Sequence, residues 1–240
     1  MRKRVEVGTD IAMIGVWDPA HERHDLKKAK YADYEASLRS EAQSGRLFYI
    51  NTGGDCGYPV DIIIDEATDA EVLSVYSQVS RDFLVISKSG RLVAGGVEDF
   101  VNVEKQITSP DDEISVPAGR YGLTLYQLND DKYAENLRAA IGADDLDYYE
   151  KRWSGVPWGC LMFIIGIVIL VLQFWFVAIG FFALLAAYMF VRSRARASDV
   201  RYQEVSKRIG EHQERFTELM FVLRRLDDSS DLEGGWHDQY

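Results

Sequence analysis

Residues 158–191 read WGCLMFIIGIVILVLQFWFVAIGFFALLAAYMFV, without one charged side chain. An apolar run beyond about 18 residues has the pattern of a membrane span, and it lacks the polar stripe that a core helix of a water-soluble domain shows. As one helix it would reach about 50 Å, against a hydrocarbon core of about 30 Å. The residue order favours a hairpin of two helices over 157–191 that turns near Gln173, the one strongly polar side chain inside the run. Folding there sets Gly166 opposite Gly180 and Gly159 opposite Ala187, small residues that let two helices approach in lipid. Trp158 then stands level with Tyr188, and Trp175 belongs to the far aromatic belt.

Basic residues flank both ends of the run: Lys151 and Arg152 before it, Arg192, Arg194 and Arg196 after it. The positive-inside rule places both flanks on the cytoplasmic side. The opening MRKRVEVGTD turns polar before an apolar core forms, so no export signal is expected there. The expectation is an integral protein of a bacterial inner membrane, with the lipid bilayer as one partner and both soluble parts cytoplasmic.

The chain has 240 residues and a formal net charge of −11, which argues against a nucleic-acid partner, since phosphate backbones need basic patches. Residues 1–150 suffice for one domain with its own core. Cys56 and Cys160 give no disulfide framework.

Along that region the pattern is β-rich. Strands are expected within Arg4–Trp17, then a helix over 25–43 stopped by Gly45. Leu47–Ile50 and Val60–Asp65 flank the turn cluster Thr52–Gly57 and read as a hairpin. So do residues 82–87 with 91–95, and 113–116 with 120–126. The fold class expected is α+β, mainly β, a sandwich or partly open barrel joined to the membrane hairpin and a C-terminal amphipathic helix. That last helix is placed over 197–227, with Val205, Ile209, Phe216, Leu219 and Leu223 along a heptad seam of the coiled-coil kind. Residues 228–240 are expected to fray.

Sites of chemistry are sparse. Asp18, His21, Glu22 and His24 are close in sequence but have no second ligand cluster at metal spacing. Thr52, Gly53, Gly54 and Asp55 form a candidate ligand loop whose N–H groups can face an anion, though the Lys and helix of a P-loop are missing. Asp61, Asp65 and Glu66 could pair as acid and base, but Asp61 and Asp65 share the outward face of a strand, which is more often a solvent face. Cys56 has no basic neighbour to activate it. No catalytic set and no cofactor is expected.

The phrases RLVAGGVEDF (91–100), PAGRY (117–121) and TGGDCGYP (52–59), with the acidity and the β-rich layout, resemble the compact domains of bacterial toxin-immunity and related conflict proteins. That resemblance implies a non-enzymatic binding module, most concretely a membrane-anchored immunity protein that neutralises a toxin. Alternatives are a membrane scaffold or pore assembled as a homo-oligomer from hairpin and tail helix, and a ligand sensor or enzyme with its site in the β-domain.

Overall fold

The computed structural model describes residues 1–22, 31–101, 113–153, 167, 175–227 and 229–238. Among them the chain forms an α+β fold with two open sheets. In chain order the elements are β1 (Arg2–Gly8), β2 (Met13–Trp17), α1 (Tyr31–Gln43), β3 (Leu47–Asn51), β4 (Gly57–Ile64), α2 (Ala70–Ser74), β5 (Tyr76–Gln78), β6 (Phe83–Ser87), β7 (Arg91–Gly96), α3 (Val97–Val101), β8 (Glu113–Ser115), β9 (Gly119–Leu128), α4 (Asp130–Ile141), α5 (Ala143–Trp153), α6 (Trp175–Ala197), α7 (Val200–Gln213), β10 (Leu219–Arg225) and β11 (Trp236–His237). Contacts divide the chain into two units, residues 1–132 with 216–240, and residues 133–215.

In the first unit one sheet runs β1-β4-β10-β9, with β5 and β6 sharing the far edge of β9. Between those two short strands the ladder is patched by the Ser80 hydroxyl, which accepts from the Leu125 amide at 2.9 Å. The second sheet runs β11-β3-β2-β7-β8. Alternate residues of both sheets, among them Val5, Ile14, Phe48, Ile62, Val85, Leu92, Leu123 and Phe221, form one buried cluster between them, as period-two side-chain alternation requires. The other face of the second sheet carries Trp17, Leu47, Tyr49 and Val93 and is covered by Leu38 and Ala42 of α1 and by Val97, Phe100 and Val101 of α3.

The three expected hairpins do not form. The link 52–56 carries the chain from β3 in one sheet to β4 in the other. The link 9–12 does the same for β1 and β2. The two links lie together: the Thr9 amide donates to Cys56 O and the Thr52 amide to Ala12 O. A two-stranded ribbon thus bends from sheet to sheet, with β1 on β4 below the corner and β2 on β3 above it. The pairs β6–β9 and β7–β8 repeat the device at a second corner, where the Val116 amide donates to Gly90 O. Strands that switch sheets at bends are a known way to build such corners.

The strand β10 enters the middle of the first sheet. It lies parallel to β4, with Phe221 opposite Ile62, and antiparallel to β9, with Phe221 opposite Leu125. All five residues Leu219–Leu223 are buried. A strand covered on both faces reads as a continuous apolar run, and that run replaces the second half of the amphipathic helix expected over 197–227. Helix ends at Gln213.

The membrane hairpin is also corrected. Among the described residues no helix is long and apolar enough to cross a membrane. Helix α6 runs unbroken from Trp175 into Arg192, Arg194 and Arg196. Within the described residues the apolar part ahead of those arginines, 175–191, reaches about 25 Å at 1.5 Å per residue, short of the hydrocarbon thickness of about 30 Å. Trp158, Gly159, Gly166 and Gln173 lie outside the described residues. The expectation of an integral inner-membrane protein with both flanks cytoplasmic falls with the hairpin. Among the described residues nothing lies within 4 Å of where a Cβ on Gly180 would be, and Ala187 and Tyr188 are exposed. Tyr188 accepts a hydrogen bond from Arg192 at 2.7 Å.

In the second unit Ile141 and Leu146 meet Val205 and Ile209 of α7 in a small core. Tyr149 stacks on Tyr202 with ring centres 5.0 Å apart. Asp145 receives both Arg201 and Arg208, at 2.7 and 3.1 Å, and Arg208 also donates to the Ile141 carbonyl near the end of α4.

Candidate functional site

The first unit concentrates its surface chemistry where α1 meets the outer edge of β3. Tyr34, Leu38 and Ala42 recur every four residues and so share the face of α1 turned to the sheet. The helix ends as the sequence predicts, at Gly45, whose φ of +74° is open to glycine at little cost. The Gly45 amide donates to Ala42 O and the Arg46 amide to Glu41 O, the paired bonds of a Schellman turn. Arg46 then folds back on the buried Glu41 carboxylate at 2.5 Å. This fixes where β3 starts and sets Tyr49 beneath α1.

A C-terminal strap completes the place. The Leu84 amide donates to Glu233 O at 2.9 Å. Gly234 then passes so close to α1 that a Cβ there would lie 2.0 Å from Ala42 O, and one on Gly235 would meet the Phe83 ring at 2.6 Å. Trp236 and His237 add to β3 as a parallel two-residue strand, opposite Tyr49 and Ile50. The Trp236 ring stacks on Tyr49, centroids 6.0 Å apart and planes 6° from parallel. The Arg39 guanidinium sits 5.2 Å from the centre of the same ring, an attractive cation–π arrangement. Arg39 is held in turn by Glu35 at 2.6 Å, and the Trp236 Nε1–H donates to Asp238 at 3.1 Å.

Beside this stack lies a recess of about 170 Å³, lined by Ile11, Ala12, Met13, Tyr34, Glu35, Leu38, Arg39, Tyr49, Asn51 and Asp238. A shallower one of about 330 Å³ lies on the other side of Trp236, against Gln43, Arg81, Phe83 and Glu233–Gly235. Burial pushes the Tyr49 hydroxyl up to about 12, with Arg39 opposing the shift and Asp238 adding to it. It therefore stays protonated, a hydrogen-bond donor. Ala12 holds a φ of +56° on the recess wall, a conformation unusual for a residue with a side chain and one that clusters at working sites.

Other sequence candidates are spent on the fold. Asp18 is fully buried and accepts from the amides of Ala20, Lys88 and Ser89 and from the Ser89 hydroxyl, so it fastens the second corner to the end of β2. Burial raises its carboxyl, but those bonds outweigh it and hold the group below its ordinary value. His21 is buried, and among the described residues neither ring nitrogen has a hydrogen-bond partner. Burial pushes it down, with Lys88 and Arg46 adding to the shift and Asp18 and Glu41 opposing it. Glu22 accepts from the Trp17 indole at 3.4 Å. His24 lies outside the described residues. Among the described residues no three His, Cys, Asp or Glu side chains are placed to hold a metal ion.

In the Thr52–Asp55 loop the Gly53 amide is already taken by Asn51 Oδ1 at 2.9 Å, and the Gly54 carbonyl by Thr52 and Tyr58. Asp61 lies buried between Arg4 and Arg2. Burial raises its carboxyl, and the hydrogen bonds from the two arginines lower it by more. Asp65, at φ +48°, accepts from the Arg225 amide. Of the helix-seam residues, Val205 and Ile209 belong to α7 and are buried, Phe216 packs at 6.5 Å on Tyr76, and Leu219 and Leu223 are strand residues of β10. The sequence reading missed Arg39, Tyr49 and Trp236. Gly234-Gly235 directly before a tryptophan was the available signal.

No family model matches the chain, and no curated protein matches it. Among solved structures the chain is similar to a protein described as crocagin biosynthetic gene J, at 15% identity and a TM-score of 0.34, over 55% of this chain and 78% of that one. A likeness of that degree carries no argument about activity.

Proposed function

We propose that this chain is a non-enzymatic binding module that grips a protein partner at the outer edge of β3. The observation that carries the reading is the stack of Arg39, Trp236 and Tyr49 beside a recess. Trp, Tyr and Arg are the residue types that dominate binding energy at protein interfaces, and they do so next to pockets that exclude water. The net charge of −11 suits a basic partner, which it would attract over distance. An immunity-type neutraliser of a basic toxin is the most concrete form of this reading.

A photo-crosslinking amino acid placed at Tyr34, on the recess wall, tests it, with the same group at the exposed Lys88 as control. Irradiation of producing cells should give one adduct of defined mass from position 34 and none from position 88. Equal adducts from both positions, or none from position 34, would overturn the reading.

A further inference from the structure

We propose that the outer edge of β3 is an acceptor for an extended segment of the partner, and that the chain's own residues 233–238 are its built-in competitor. The inference rests on the binding-module reading and adds the chemistry and control of that site. Sheet edges take up extended peptides because each N–H and C=O of the edge finds a partner in the added strand. Here the added strand is only two residues long, while β3 has five. The strap is held less by its ladder than by one aromatic anchor, Trp236, stacked on Tyr49 and within cation–π reach of Arg39.

The seat also specifies what fits. Two residues ahead of the anchor, Ala42 O, Gln43 O and Gly45 N leave no room for a side chain, and just ahead of it the Phe83 ring leaves none either. Two residues after the anchor a carboxylate accepts the indole N–H. The occupant is therefore an extended segment with two small residues, an aromatic residue, any residue and an acid, which is the pattern that Gly234–Asp238 itself carries. Because the strap is tethered, it competes at an effective concentration of order millimolar, so a partner's segment binds only after the strap has left.

The test uses the full chain and its Trp236→Ala variant, with a chain ending at Gly235 as a second form. The probe is a fluorescein-labelled peptide of the sequence of residues 231–240, followed by anisotropy. The peptide should bind both altered forms at least tenfold more tightly than the unaltered chain. A peptide with alanine in place of its tryptophan should lose that binding, and Arg39→Ala in the altered chain should weaken it several-fold. If the altered forms melt as the unaltered chain does yet bind no peptide, the edge is not an acceptor and the proposal fails. Equal binding to altered and unaltered chains would sink the competitor role alone, leaving the crosslinking result to decide the binding-module reading. Failure of both altered forms to fold would make the strap a structural strand and overturn the proposal.

Discussion

Phe221→Ala separates the two accounts of the C-terminal region. In a helix over 197–227 Phe221 lies off the seam, and its truncation would cost well under 1 kcal/mol, as for most surface positions. In the structure its ring is fully buried at the centre of β10, in edge-to-face contact with Phe48 at 5.9 Å, opposite Ile62 and Leu125. Removing a buried phenyl ring costs about 3–5 kcal/mol, the lost transfer energy plus the cavity left behind. The site can collapse little, because the ladders to β4 and β9 hold the backbone of β10 in place on both sides, so the upper half of that range is expected. In thermal unfolding this corresponds to roughly 8–20 °C, at about 2–4 °C per kcal/mol for a chain of this size. Urea unfolding monitored by circular dichroism and by tryptophan fluorescence gives the number directly. A loss below about 1 kcal/mol with unchanged m-value would refute the placement of β10 in the sheet.

Asp18→Ala should cost about 2–4 kcal/mol, since it strands the Lys88 and Ser89 amides without their acceptor; Asp18→Asn, which keeps one oxygen, should cost less in the same urea titration. Because His21 holds its proton less firmly folded than unfolded, stability should be full above its unfolded value of 6.5 and fall as pH drops below it. The Asp61 carboxylate, also lowered, should add a second decline below 3.8. Urea midpoints measured from pH 8 to pH 3 should show both declines, and His21→Leu should remove the first alone. Gly234→Ala should free the strap, because its Cβ has no space beside Ala42 O; amide exchange at Trp236 and His237 should rise, and unchanged exchange would refute the close approach.

Local chemistry was legible where it decides the outcome. Gly45 ends α1 because only a residue tolerant of positive φ closes a Schellman turn there, and the β-rich runs around 47–50, 83–87 and 119–126 were plain from their residues. Pairing was not. TGGDCG, KSG and PAG have the composition of hairpin turns, yet each serves a corner, since the bonds that decide it, such as Thr9 to Cys56, join residues far apart in sequence. In the C-terminal region the 3-and-4 spacing of Tyr202 through Leu226 fitted a helix. The uninterrupted LMFVL at 219–223 was the sign of a central strand. Charge-free composition over 158–191 could not show that the helix from Trp175 runs straight on into three arginines. The proposed binding edge escaped because its key side chains come from α1, β3 and a tail expected to fray.

The position of β10 sets a timetable. Strands β4 and β9, which it separates, are complete once residue 128 has been made, but β10 begins only at residue 219, roughly ninety residues later. At ordinary ribosomal speeds of about 5–20 residues per second, the interval is on the order of 5–20 s. Throughout it the Val60–Ile64 and Leu123–Gln127 edges stand open with their apolar faces uncovered, the arrangement most prone to pair with a neighbouring nascent chain. Synthesis of this protein thus contains an enforced wait, and its yield in a cell should depend on whatever shelters those two edges until β10 arrives.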